Sequence, residues 1–480
     1  MSHMSAEVNL EAISLANRAF WNKEWSTAAV HYWELAKKHP SHVSMFELNL
    51  ELLRDYWLEH QQERLNKGET PLVAVSCWSF GHNPAGRSVT LYEGWKNIQP
   101  NVELIGSYFT DFGCELWSPL QHMDIPYHSF VCEYEESFLD NAVSLVLRHP
   151  YDLVHISKPR MASIVFARLY QLIWGAKVIL DIDDEELSFT DTEELQSDAR
   201  PKALVDLRKS EWTHWAVNQV STYPLRTTSN PALDARYSGA VLPHVRPLSR
   251  FTYDDWRRKQ ARDAFEIPQN AKVFVFAGTP RKHKGLLKAA KALAEFNDSN
   301  IWFLVAGDFP KSELKLKTEL ERMNNLNVRF LPNQPYDKIN DVLIAADVAM
   351  LLQEKHSLVT DFQLPAKLMD ALGMGLLVLA TPTPSIQHLV DDGVVKAVHD
   401  ITLHQSLRRL LKGWGDEEFK RQSGMNRQYF KEHLSVESIE HTLKSLLEHA
   451  FNSQEQTHPD WSGKLELLIN DPYHFLIPRQ

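Results

Sequence analysis

Cysteine is scarce: three residues among 480, Cys77, Cys114 and Cys132, scattered along the chain. That excludes a disulfide framework and a cysteine-rich zinc site, and it fits a reducing cytoplasm. A basic excess is also missing, since 51 Lys and Arg face 62 Asp and Glu for a net charge of -11. A general nucleic-acid binder, which needs a basic footprint, is therefore not expected. Nor is there a membrane span. The longest apolar stretch, Ala162–Leu180, is interrupted by Arg168, Gly175 and Lys177, and reads as a buried helix followed by a strand. The opening Met-Ser-His-Met reads as a cloning scar (1–4), with no charged-then-apolar leader after it. A cytoplasmic protein is expected, with peripheral contact at the inner face of a membrane left open. What the chain does have is 44% hydrophobic and 24% charged residues, enough for a real core.

Residues 5–68 are helical by pattern. Ala12, Ala16, Ala19 and Phe20 share one face, and Ala28, Tyr32, Leu35 and Ala36 another, ending at Pro40. The spacing Ala28, Tyr32, Ala36, Pro40 resembles the second helix of a tetratricopeptide repeat. Two roles stand open for this region: a helical cap on the next domain, or an arm that binds a protein partner through 5–65.

From Leu72 the pattern alternates. Apolar runs at 72–78, 102–109, 152–157 and 177–183 read as strands, with helices at 88–97 and 161–174. A second set follows, with strands at 272–278, 301–307, 327–332, 348–352 and 376–381 and helices at 284–296, 311–324, 335–345 and 365–373. This predicts an α/β protein with two parallel-sheet domains, 70–245 and 246–400. Helices and a tail over 401–480 pack back. Ligands of such sheets bind beyond the carboxyl ends of strands, so the functional residues are sought there.

After the strand 272–278 come Gly278, Thr279, Pro280, Arg281, Lys282, His283, Lys284 and Gly285, then a helix. A glycine strand end, clustered cations and a helix N-terminus favour an anion such as phosphate. The alternative is a solvated basic loop. After the strand 348–352, a polar loop over 356–363 leads to Leu364, Pro365 and a helix carrying Lys367 and Asp370 on one face. A carboxylate there can accept two neighbouring sugar hydroxyls, or the two side chains can form an ordinary surface pair.

Together these segments resemble the donor-binding domain of family-4 glycosyltransferases. The pieces are Gly278 with Lys284-Gly285, Pro365-Ala366-Lys367-Leu368-Met369-Asp370, then Gly375, Val378, Ala380, Thr381 and Asp392-Gly393. Pro84-Ala85-Gly86-Arg87-Ser88 is similar to the family's first-domain glycine loop, and Pro243-His244 to the segment that ends its first domain. The resemblance spans about 70–400. It implies a GT-B fold: two Rossmann-like domains facing a cleft, here with an added helical region. It further implies transfer of a sugar, with retention of configuration, from a nucleotide-sugar donor to a glycan, lipid-linked or protein acceptor.

By that resemblance, donor contacts fall on Gly86, Arg87, Gly278, Thr279, Arg281, Lys284, Asp361, Phe362, Gln363, Leu364, Lys367 and Asp370. Arg281, Lys284 and Asp183 are the expected catalytic residues: the two cations at the leaving diphosphate, Asp183 near the anomeric carbon. The sequence departs from the family in places. Phe362 stands where the first acid of the Glu-x7-Glu pair is usual, with Asp361 beside it. Asp370 replaces the second Glu, and Thr279 the usual Arg. A catalytically inactive GT-B scaffold that binds a protein partner is the alternative reading. The run Asp181, Asp183, Asp184, Glu185, Glu186 invites a divalent metal, but the GT-B resemblance implies cations and helix dipoles instead, so no metal and no cofactor are expected.

Overall fold

Short runs rich in Val, Ile, Leu and Phe, each leading toward a helix, form two parallel sheets in the computed structural model, which describes residues 10–192, 194–354, 357–452 and 460–478. The first sheet contains β1 (Val73–Cys77), β2 (Val102–Phe109), β3 (Tyr127–Cys132), β4 (Leu153–Ser157), β5 (Lys177–Ile182), β6 (Arg226–Thr228) and β7 (Ala240–Val241), in the order β3-β2-β1-β4-β5-β6-β7. The second contains β8 (Lys272–Ala277), β9 (Ile301–Ala306), β10 (Asn327–Leu331), β11 (Val348–Leu351), β12 (Leu377–Ala380) and β13 (Lys396–Ala397), in the order β10-β9-β8-β11-β12-β13. The central strands β1, β4 and β11 are buried along their whole length. Helices on both faces require this, and it explains the continuous apolar runs.

Among the described residues three α-helices precede the first sheet: α1 (Leu10–Trp21), α2 (Trp25–Lys38) and α3 (Val43–Asn66). Ala16, Ala19, Ala28 and Ala29 are buried and let α1 and α2 approach closely. The region is built into the first domain. Helix α4 (Ala85–Ile98) follows β1, α5 (Phe138–Arg148) follows β3 and α6 (Met161–Trp174) follows β4. Helix α2 packs on α5 and α3 on α6, where the Trp57 and Trp174 rings meet edge-on at 5.5 Å. Ala28, Tyr32 and Ala36 are buried in this packing. At its end α3 supplies polar partners to the sheet: Gln61 Nε2 donates to Asp152 Oδ1 at 2.9 Å, and Arg64 binds both Asp152 oxygens.

The chain crosses to the second domain near Arg246 and returns through a π-helical turn, Phe430–Leu434. The two crossings pair: Arg246 N donates to Leu434 O at 3.1 Å and Val436 N to Arg246 O at 3.0 Å. Helix Glu440–Asn452 then lies on α4, where a Cβ on Gly94 would sit 3.0 Å from Ile439 and 3.2 Å from Leu443. Helix Lys464–Asn470 seats on α3, with Glu47 accepting from the backbone of Gly463 and Leu465. Among the described residues no helix is long and apolar enough to cross a membrane.

Candidate functional site

The end of β8 is shaped by glycines. Gly278 has φ 122° and bonds from its N–H to Ala306 O at 2.8 Å. After the turn Lys282–Lys284, Gly285 has φ 72°, and a Cβ there would lie 1.9 Å from Leu352 O. Only glycine lets this loop press against the end of β11. Lys284 Nζ donates to Thr279 O at 3.1 Å. From the first turn of helix Ala366–Gly373, Lys367 reaches back to place Nζ 3.9 Å from the centre of the Phe276 ring. Arg281 is exposed beside them.

None of these three cations forms an ion pair with a described residue, in a structure where most buried charges are matched. Burial, with Arg281 adding repulsion, pushes the Lys284 ammonium down to about 8. Burial, with Lys284 adding repulsion, holds Lys367 well below the usual lysine range. An anion bound beside Lys284 and Lys367 would favour their protonated forms.

Asp370, on the same helix as Lys367, is 8% exposed. Its Oδ1 accepts from Arg246 Nε at 3.1 Å. Arg246 also donates from Nη1 to Thr90 Oγ1 of α4 at 3.0 Å. The surface Lys367–Asp370 pair does not form.

The segment after β11 meets the first domain directly. Ser357 caps the short helix Leu358–Phe362, on which Asp361 lies. Phe362 O accepts from Asn230 Nδ2 at 2.8 Å, and its ring lies under Arg236. Gln363 Nε2 donates to Asp184 Oδ1 at 3.0 Å. The segments that follow β5 and β11 therefore meet one another. Lys355 and His356 lie outside the described residues.

On the first-domain side Asp183 is buried beside Lys158 Nζ at 3.0 Å, His244 Nε2 at 3.0 Å and Arg87 Nε at 3.7 Å. Lys158 and His244 hold its carboxyl well below the usual range against the effect of burial. Lys158 follows β4 with φ 66°, a strained value for a side-chain-bearing residue, and also pairs with Asp184 and Glu186. Its neighbours in the acidic run have cations of their own: Asp181 has Arg87, Glu185 has Arg236 and Glu186 has Arg160. No cluster of three or more metal-ligating side chains occurs among the described residues. Lys158 is shared by Asp183, Asp184 and Glu186, so an ammonium already stands where these carboxylates meet.

Residues 257–432 match the family model described as Glycosyl transferases group 1. A stretch of 163 residues, 33% of this chain, is 24% identical to the Escherichia coli (strain K12) protein WcaI, assigned as a colanic acid biosynthesis glycosyl transferase, and spans 39% of that protein's length. Among solved structures, Anabaena HepE in complex with UDP and glucose aligns over 79% of this chain and 99% of its own, with TM-score 0.60 and 15% identity. Sucrose-phosphate synthase of Thermosynechococcus elongatus aligns over 80% of this chain and 99% of its own, with TM-score 0.56 and 14% identity. The fold is GT-B.

Within this GT-B frame Gly278, Thr279, Arg281, Lys284 and Lys367 converge at the end of β8, while Asp361, Phe362, Gln363 and Asp370 line the segment after β11. One expectation is corrected, that for Arg87, and for Gly86 and Leu364 the structure fixes the local packing. Arg87 does not face the cleft: its donors go to Asp181 at 2.6 and 2.9 Å, Leu242 O at 2.8 Å and Pro243 O at 3.1 Å. The open side of Gly86 is filled by the Trp117 ring, 3.3 Å from where a Cβ would stand, so its small size serves packing. The Leu364 side chain, 2% exposed, belongs to the second domain's core, leaving only its backbone for a ligand. Sequence reasoning missed Lys158 and Arg246. Lys158 directly follows a strand, the place where functional residues were sought, whereas nothing local marks Arg246.

Proposed function

We propose that this chain is a glycosyltransferase that moves a sugar from a nucleotide-sugar donor to a glycan, lipid-linked or protein acceptor with retention of configuration, at the cytoplasmic face of a membrane or in the cytoplasm. The observation that carries this reading is the uncompensated set Arg281, Lys284 and Lys367 at the end of β8. A nucleoside diphosphate supplies the missing negative charge, and UDP, bound by HepE, is the first candidate.

In the mechanism, Lys284 and Lys367 hold the diphosphate and Arg281 closes over it from solvent. As the bond to the anomeric carbon lengthens, charge grows on the leaving phosphate and these cations stabilise it without reorganising. The developing oxocarbenium-like sugar lies between the two domains, near Asp183 and Gln363. Asp183, already ionised and hemmed by cations, acts as a fixed negative charge there. The leaving phosphate accepts the acceptor's proton. No carboxylate is assigned as a nucleophile, and with protein cations on the diphosphate no metal is needed. Asp370 takes the ribose hydroxyls. The helical region 10–66 acts as a cap that stabilises the acceptor domain.

The test is a binding and turnover screen with UDP, GDP, ADP, CMP and their sugar conjugates, with and without Mg²⁺. Binding of one nucleotide, lost in Lys284→Ala, and nucleotide release that depends on acceptor support transfer. Tight binding without turnover for any acceptor class favours the inactive scaffold instead.

A further inference from the structure

Arg246 sits where the two domains are joined. Its backbone forms both hydrogen bonds of the paired crossings, to Leu434 and Val436. Its guanidinium is 4% exposed and faces three ways. Nε holds Asp370 Oδ1 at 3.1 Å. Nη1 holds Thr90 Oγ1 at 3.0 Å and Val245 O at 2.9 Å. Its flat face lies 4.7 Å from the Tyr336 ring centre. Tyr336 is itself clamped to the first domain, with its N–H on Pro119 O at 2.7 Å and its hydroxyl 3.2 Å from Thr90 Oγ1. The guanidinium is thus fixed from the linker, from α4 and from the loop after β10.

The carboxylate it holds is bound on one side only. Among the described residues Oδ1 of Asp370 has Arg246, while Oδ2 has no protein partner and is not sealed from solvent. A carboxylate tethered through one oxygen by an immobile donor keeps a set orientation and leaves acceptor lone pairs for a second ligand. The lysine-lined anion site is on the same helix, at Lys367. Lys367 and Asp370 are three residues apart on that helix, which makes Asp370 a neighbouring acceptor for a nucleotide held at Lys367.

We propose that Arg246 is a positioning residue. It sets the Asp370 carboxylate to receive the ribose hydroxyls of the donor, so recognition of a ribonucleotide is built on the linker that joins the domains. This rests on the donor-site reading above. Arg246 touches no substrate. It acts through Asp370, and the contact with Thr90 ties that orientation to the first domain.

The test compares UDP with 2′-deoxy-UDP, by calorimetry, on the full chain; if GDP, ADP or CMP is the nucleotide that binds, it and its 2′-deoxy form are used. The wild type is expected to prefer the ribonucleotide by about tenfold, the worth of one hydrogen bond to a charged group. Asp370→Asn and Arg246→Ala should each bring that preference to about twofold or less. Arg246→Lys keeps the buried charge and guards against misfolding. One ammonium cannot reproduce the fork that holds Asp370 and Thr90 together, so the preference should fall there as well. A purely structural role weakens both probes equally and leaves the ratio intact. An unchanged ratio in both Arg246 variants, alongside its collapse in Asp370→Asn, overturns the proposal and spares the donor site. Failure of the wild type to bind any of the four nucleotides overturns both.

Discussion

Arg64, on the last turn of α3, binds both carboxylate oxygens of Asp152, at 2.7 and 2.8 Å. Asp152 is fully buried at the start of β4, and it also accepts from Leu72 N at 2.7 Å and from Gln61. The N-terminal helices therefore neutralise a charge belonging to the first sheet. Removing one partner of a buried pair leaves the other charge uncompensated, at a cost of about 3 kcal/mol. Arg64→Ala should lower stability by about that amount in urea melts. A loss within experimental error would mean that Gln61 and the backbone suffice.

Lys367→Met should separate stability from function. The substitution replaces a half-buried amine that has no counter-charge among the described residues with an apolar chain of similar length. Melts of the nucleotide-free protein should show an increase, by about 1 kcal/mol, because a desolvated polar group is gone. Nucleotide binding should weaken at the same time. A variant that is less stable, or that binds as before, contradicts the unpaired-cation account.

The Lys284 ammonium, pushed down to about 8 by burial and Arg281, sets a pH dependence. Below about 8 Lys284 is charged and ready for an anion. Above it each binding event must take up a proton, so affinity should fall by up to about tenfold per pH unit. The stability linkage has the opposite sign. The unfolded chain holds this proton between about 8 and 10.5 while the folded empty site has lost it, so stability from this group rises across that window. Calorimetry at pH 7, 8 and 9, in buffers of differing ionisation heat, reads the proton uptake directly. Affinity that is flat above pH 8 argues against Lys284 as a phosphate ligand.

Lys158→Met should be strongly destabilising. Its ammonium is the shared counter-charge of Asp183, Asp184 and Glu186, all buried or nearly so. Loss of about 3–5 kcal/mol is expected in denaturant titrations, partly relieved in acid as the stranded carboxylates take up protons. A mild effect with no acid rescue would show that His244, Arg87 and Arg160 carry the cluster alone.

The two-sheet plan was legible because buried parallel strands are written as unbroken apolar runs; β1, β4, β5, β8, β9 and β11 all read that way. Strand β3 did not, since Tyr127, Ser129 and Val131 face solvent at the sheet edge and break the run. Strands β6, β7 and β13, of three, two and two residues, are too short for any periodicity. The glycine–lysine loop after β8 was visible because its positions are local: Gly278, Lys284 and Gly285 belong to one loop. Arg87 was misread because its partner Asp181 lies 94 positions away. Nothing in the neighbourhood of Arg87 distinguishes a buried anchor from a ligand contact. Arg246 is the same case in reverse, 124 positions from Asp370.

The return of the chain after Leu434 has a consequence for biogenesis. Glu440–Asn452 covers α4, Lys464–Asn470 covers α3, and Arg168 of α6 donates to the Leu476 carbonyl at 2.7 Å. The half of the protein that leaves the ribosome first is thus finished by residues that emerge only after the whole second domain. Until they emerge, the face of α4 around Gly94 and the face of α3 around Glu47 stay open on the nascent chain, and a stop codon near residue 438 would leave them open permanently.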